Sequence, residues 1–206
     1  MGTELMARGL NLPLPLWSAE SNLTDPDVVQ SVHHDYVNAG ADIIGTNTFR
    51  TTTWSYRKAG FSPKRAAERA KSSLMKAVEM ARSANPKIVA GSITSIEDCY
   101  EPEFFPGRGA AEDTYGENVD WFKEAGVDLI LFETMGHLDE IDVAIQSVNE
   151  NKIWLSMIVK NGKRYVNQGV LVVKREVVLK ANQSKPKQIK QMLFLKSKPK
   201  QKKLLM

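Results

Sequence analysis

A chain of 206 residues is long for one domain and short for two, so a single domain with a sizeable core is expected. Hydrophobic residues at 42% and charged residues at 25% are ordinary globular values, and they exclude a collagenous, mucin-like or wholly disordered chain. The net charge of +4 is unevenly spread: residues 1–151 hold 13 basic and 23 acidic side chains, residues 152–206 hold 15 basic and one acidic. The single cysteine, Cys99, excludes an internal disulfide framework and any metal site needing two thiolates from one chain. No apolar run of about 18 residues and no basic, apolar leader is present, so a soluble cytoplasmic protein with no membrane association is expected.

In chain order, Asp25-Pro26 offers a cap followed by proline, and Val28, Val32, Tyr36 and Val37 predict a helix that ends near Gly40. ADIIGTNTF, residues 41–49, reads as a buried strand opening into a polar loop. Ser62-Pro63 starts a second helix that runs towards Ala84 and stops before Pro86. KIVAGSIT, 87–94, is the next strand, and Gly91 allows close backbone approach there. Residues 95–113, with Cys99, Tyr100, Phe104 and Phe105, suit a covering loop in which the aromatics act either as a lid or as apolar anchors. A helix follows from Thr114 to Gly126, then strand VDLILFET at 127–134, a helix from Leu138 to Val148 and strand KIWLSMIV at 152–159.

Strands alternating with helices favour a parallel sheet, and periodicity alone leaves an open doubly wound sheet and a closed barrel both standing. No glycine-rich phosphate loop is present, which weakens the dinucleotide-binding version. The last 27 residues contain nine lysines and no acid. Three readings of this tail stand: a solvated segment, an arm for weak non-specific nucleic-acid binding, or a coding sequence that has left its ancestral frame.

The opening MGTEL, the run LWSAESNLTDPDVVQSVHHDYVNAGADIIGTNTF and the later GVDLILFETMGHLDEIDVAI resemble the homocysteine S-methyltransferases. The resemblance runs from Met1 to about Gly169, giving a partial homocysteine-binding barrel domain at 1–169 and a basic divergent tail at 170–206. It implies an α/β fold, an incomplete (β/α)8 TIM-barrel-like fold covering strands two to five, with open sheet edges that permit self-association. It also implies methyl transfer to homocysteine, forming methionine in methionine biosynthesis, from S-methylmethionine or S-adenosylmethionine; betaine and folate donors stay open. Zinc, held by three late cysteines, is expected in the complete family enzyme, where the metal lowers the pKa of the substrate thiol. Cys99 lies before those positions, and Met1 falls just after the first barrel strand with its aspartate-glycine pair. A truncated, catalytically inactive amino-acid-binding or structural fragment is therefore the alternative to an active methyltransferase.

The resemblance places substrate contact at Glu133, the glutamate of the FET motif, where strand ends meet a barrel's active face. Thr46, Asn47 and Thr48 occupy the corresponding end of their strand, and Ser92 and Ser156 the ends of two others, so these complete the candidate substrate-binding set. Loop-backbone satisfaction explains Thr46 to Thr48 equally well. His33 and His34 read as packed or solvent-facing helix residues, His137 follows the Glu133 loop, Trp17 of the WSA segment reads either as cover over a small ligand or as packing, and Glu140 and Asp142 as a helix start with a solvated face.

Overall fold

Residues 1–148, 153–157, 160–161, 164–165 and 169–173 are described by the structure, a computed structural model. The basic segment beyond 173, with the nucleic-acid and reading-frame expectations attached to it, lies outside the described residues.

Three helical pieces precede the first strand: α1 (Gly2–Ala7), a 3₁₀ turn (Trp17–Ala19) with α2 (Ser21–Thr24), and α3 (Pro26–Asn38). Then come β1 (Ile43–Gly45), α4 (Thr53–Lys58), α5 (Pro63–Ser83), β2 (Ile88–Thr94), α6 (Arg108–Ala125), β3 (Leu129–Met135), α7 (Leu138–Gln146) and β4 (Ile153–Met157). Pro26 and Pro63 sit in the first turns of α3 and α5 as expected, yet neither Asp25 nor Ser62 makes a side-chain capping bond. Thr52 does cap α4, accepting from the Ser55 amide at 3.0 Å. Helix α6 begins six residues before the expected Thr114. The covering loop is shortened accordingly, and Phe105 packs against the core while Tyr100 and Phe104 stay exposed.

Strands β1 to β4 pair in parallel in that order, with Gly45 beside Ala90, Leu131 beside Ser92 and Leu155 beside Phe132. Each step along them passes through a helix, which makes a partial (β/α)8 barrel not closed into a full ring. The next strand of the sheet breaks the pattern. After the short pairs β5 (Lys160–Asn161) and β6 (Arg164–Tyr165), β7 (Gly169–Val173) runs antiparallel to β4, from Met157 beside Gly169 to Ile153 beside Val173. A parallel return needs a crossover of about a dozen residues or more, normally helical, and the segment between β4 and β7 is occupied by the β5–β6 ladder instead.

The period of two along β3 decides which residues meet the helices and which the other face. Ile130 and Phe132 enter the main core with Leu74, Tyr115, Phe122 and Leu155. Leu129 and Leu131 form a second cluster with Ala90, Ile43 and Trp154, and Glu133 continues their alternation towards the loop end. On β2 the same alternation sends Gly91 to the helix side, where an added Cβ would lie 2.7 Å from the Phe122 ring, so glycine lets α6 approach the sheet.

Glu140 corrects the expectation of a solvated helix face. Together with Val143 and Ala144 it occupies the inward face of α7, 2% exposed, and accepts hydrogen bonds from the Tyr115 hydroxyl at 2.6 Å and the Ile96 amide at 2.8 Å. Asp142 is half-exposed and meets Arg108 at 2.9 Å, as a helix-surface acid should.

Candidate functional site

The loop ends of β1, β2 and β3 converge on a cavity of about 210 Å3. Its polar wall includes Trp17, His33, Thr46, Asn47, Ser92 and Glu133. Four of the six expected site residues therefore share one cavity; Thr48 and Ser156 do not line it. The volume is below the roughly 300–1,000 Å3 of sites for drug-sized ligands, which suits a small metabolite.

Glu133 is the only carboxylate among the residues lining this cavity. Ser92 Oγ donates to its Oε1 in a very short contact. Burial pushes the Glu133 carboxyl above the usual carboxylate range, against the opposing pull of the Ser92 bond and the Met1 amino group. A carboxyl with a raised pKa gains from a cation delivered to it, because the cation offsets the desolvation that disfavours the ionised form. Thr134, the next residue, has φ of +58°, a left-handed conformation that is rare for a β-branched side chain. Its hydroxyl donates to the Glu133 carbonyl at 2.6 Å, and the β3–β4 register slips between Phe132 and Met135. The strand end carrying Glu133 is thus locally strained, as site-bearing strand ends are in many proteins.

The Thr46–Asn47–Thr48 segment separates into different roles. Thr46 Oγ1 accepts from the Ser92 amide at 3.1 Å and contacts Thr48 Oγ1 at 2.7 Å. Thr48 Oγ1 donates to the Ser92 carbonyl at 2.6 Å. These two threonines lock the loop after β1 onto β2 and so hold Ser92 beside Glu133. Asn47 is committed elsewhere: its Oδ1 accepts from Ser18 Oγ at 2.7 Å, and its Nδ2 donates to the Ser18 carbonyl at 3.0 Å and Asn22 Oδ1 at 2.9 Å. Asn22 returns a bond to the Asn47 carbonyl at 2.8 Å, tying the segment before α3 to the end of β1. Ser18 is therefore a structural anchor of the cavity wall. Ser156 is buried on β4, away from the cavity.

The residues present do not fit the three-thiolate zinc site that the resemblance implies. Cys99 is the one cysteine, is buried in the loop after β2, and is absent from the cavity lining. Burial raises its thiol pKa, opposite to what a metal ligand needs. Among the described residues, no three His, Cys, Asp or Glu side chains come together as a metal-binding group. His137 stacks on Phe105 with ring centroids 4.5 Å apart.

Sequence reasoning missed His33. Val29, Val32 and His33 occupy the buried face of α3, and the imidazole is fully buried at the cavity wall. Neither ring nitrogen has a hydrogen-bond partner among the described residues. Helical periodicity places His33 on an inward face, but only the packing of α3 beside β1 brings it to the cavity holding Glu133. Burial first, then the positive charges of the Met1 amino group and His34, lower its pKa to about 4. Because the folded pKa lies below the ordinary 6.5, the neutral ring's contribution is intact above pH 6.5 and is lost as pH falls towards 4. Replacing His33 by leucine is expected to flatten the acid limb of a stability profile over that interval; an unchanged limb contradicts a buried neutral ring.

The fold and site define a partial βα-barrel protein with a cavity at its strand ends. The model of the family "Homocysteine S-methyltransferase" matches residues 1–190, and the chain belongs to that family. It is 30% identical to homocysteine S-methyltransferase 2 of Zea mays, a match covering 84% of this chain and 58% of the relative. It is 29% identical to the selenocysteine methyltransferase of Astragalus bisulcatus, covering 81% of this chain and 59% of the relative. Among solved structures, the oxidized form of the homocysteine methyltransferase MmuM from Escherichia coli superposes with a TM-score of 0.66 at 28% identity. That superposition covers 76% of this chain and 59% of the other. The chain thus spans a little under three fifths of the length of these relatives. No described helix is long and apolar enough to cross a membrane.

Proposed function

We propose that this chain binds a small thiol- or selenol-bearing α-amino acid of the homocysteine type, with the ligand's ammonium on Glu133. The observation that carries this reading is a half-buried carboxyl, held by Ser92, at the wall of a cavity of about 210 Å3. The relatives named for homocysteine and selenocysteine methyl transfer share a ligand class with one ammonium, one carboxylate and one nucleophilic chalcogen. An arriving ammonium makes a charge-assisted hydrogen bond with Glu133 and stabilises its ionised form, opposing the effect of burial.

Binding is separable from methyl transfer. Transfer needs a thiolate aligned with a methyl donor, and the single buried Cys99 offers no three-thiolate means of generating one. The function proposed for this chain by itself is therefore amino-acid binding, with methyl transfer as the ancestral activity of its family. Calorimetric titration of the purified chain with L-homocysteine and with 4-mercaptobutyrate, which lacks the ammonium, tests the reading. The amino acid is expected to bind about tenfold more tightly or better, the worth of one charge-assisted hydrogen bond. Equal affinities contradict the assignment of Glu133 as the ammonium site.

A further inference from the structure

The geometry points to His33 as the second anchor of the cavity, donating a ring N–H to the ligand's carboxylate while Glu133 takes the ammonium. This inference rests on the amino-acid reading above and extends it to the other charged end of the ligand.

Three observations carry it. First, His33 is fully buried, lines the same cavity as Glu133 and has no partner on either nitrogen among the described residues. A buried polar group without a partner is destabilising, so a ring kept only for packing is better replaced by an apolar side chain. Second, four of the neighbouring polar groups are already committed. Ser92 Oγ serves Glu133, Ser18 Oγ serves Asn47, Asn47 Nδ2 serves Ser18 and Asn22, and Thr46 Oγ1 pairs with Thr48. The imidazole keeps both nitrogens free for a ligand. Third, the cavity is lined by groups of both kinds. The Met1 amino group and His33 line it together with Glu133, whose carboxyl is the acid of the lining. A zwitterion oriented by these groups places its ammonium at the acid and its carboxylate at the imidazole.

The test titrates the full chain and its His33→Leu variant with L-homocysteine and with 3-aminopropane-1-thiol, which keeps the ammonium and thiol but lacks the carboxylate. His33→Leu is expected to weaken L-homocysteine about tenfold or more and to leave the aminothiol within about twofold. The same variant is expected to raise the unfolding temperature without ligand, because it removes a partnerless buried ring. A variant that melts lower and weakens both ligands alike marks His33 as a packing residue and overturns the inference. His33→Gln, which retains an amide donor, is the second variant, and it is expected to keep part of the preference for L-homocysteine over the aminothiol. Loss of that preference in neither variant also overturns the inference. If the parent chain binds both ligands equally, the carboxylate anchor fails while the ammonium site stands. If it binds neither, the amino-acid reading itself fails, and this inference falls with it.

Discussion

Replacing Glu140 by alanine is expected to destabilise the fold by about 1–3 kcal/mol, because the buried Ile96 amide loses its acceptor and the Tyr115 hydroxyl keeps only its longer bond to the Thr94 carbonyl at 3.3 Å. Both donors are bonded to Glu140 Oε1. Burial and the adjacent Glu140 carboxyl push the Tyr115 phenol far above its ordinary pKa, so it stays a hydrogen-bond donor at any usable pH. One carboxyl thereby joins α7, α6 and the segment after β2, the three elements that enclose the end of the main core. Domains of this size are held by only about 5–15 kcal/mol, so the loss is a large share of the total. Urea unfolding midpoints measure it. Glu140→Gln keeps a carbonyl oxygen and is expected to recover most of the loss, and Tyr115→Phe added to Glu140→Ala is expected to cost little more. A loss below about 0.5 kcal/mol, the range of ordinary surface substitutions, contradicts the staple.

The second large effect is a pair of opposite changes at Glu133. Glu133→Gln is expected to weaken L-homocysteine by about tenfold to a hundredfold, since the charge-assisted bond to the ammonium is lost. The same substitution is expected to raise ligand-free stability at neutral pH. The folded-state pKa of Glu133 lies above its ordinary value, so the folded chain holds this proton more tightly than the unfolded chain. Stability from the protonated form is complete below the unfolded pKa and is lost as pH rises through the folded pKa. Glutamine stays neutral and escapes that loss, so the gap between variant and parent is expected to widen with pH over this interval. Thermal scans of both proteins at several pH values check the sign. A variant less stable than the parent at every pH shows that Glu133 is held by structural bonds and not kept for a ligand.

Much of the architecture was legible because hydrophobic period and helix punctuation are local properties. The runs around Ile43, Val89, Ile130 and Leu155 became the four parallel strands, and Pro26, Pro63 and Gly126 mark helix ends where expected. The short α1 and α4 carry too few residues to show a period, and α4 is instead announced by the Thr52 cap. The antiparallel return of β7 was not legible, since strand direction depends on what the intervening chain forms.

The site was legible where chemistry sits at a strand end and illegible where it depends on which helix face meets which sheet edge. Glu133, Ser92 and Thr46 follow from strand position, and the structure places all three at the cavity. Asn47 looked equivalent to its neighbours, yet its hydrogen bonds run to Ser18 and Asn22, partners more than twenty residues away. Glu140 followed a polar pattern on paper, but the inward positions of Val143 and Ala144 turn its face towards Tyr115. His33 differs from His34 by one residue, about 100° around the helix, and that rotation separates a buried cavity residue from a half-buried one.

The central claim is that this chain, although it spans under three fifths of its relatives, forms a folded site for an amino acid. Thermal unfolding of the purified chain under reducing conditions, with and without L-homocysteine, tests it most directly. The account predicts a cooperative transition whose midpoint rises with ligand concentration, as selective binding to the folded state requires. A cooperative transition indifferent to L-homocysteine, or no cooperative transition, contradicts it.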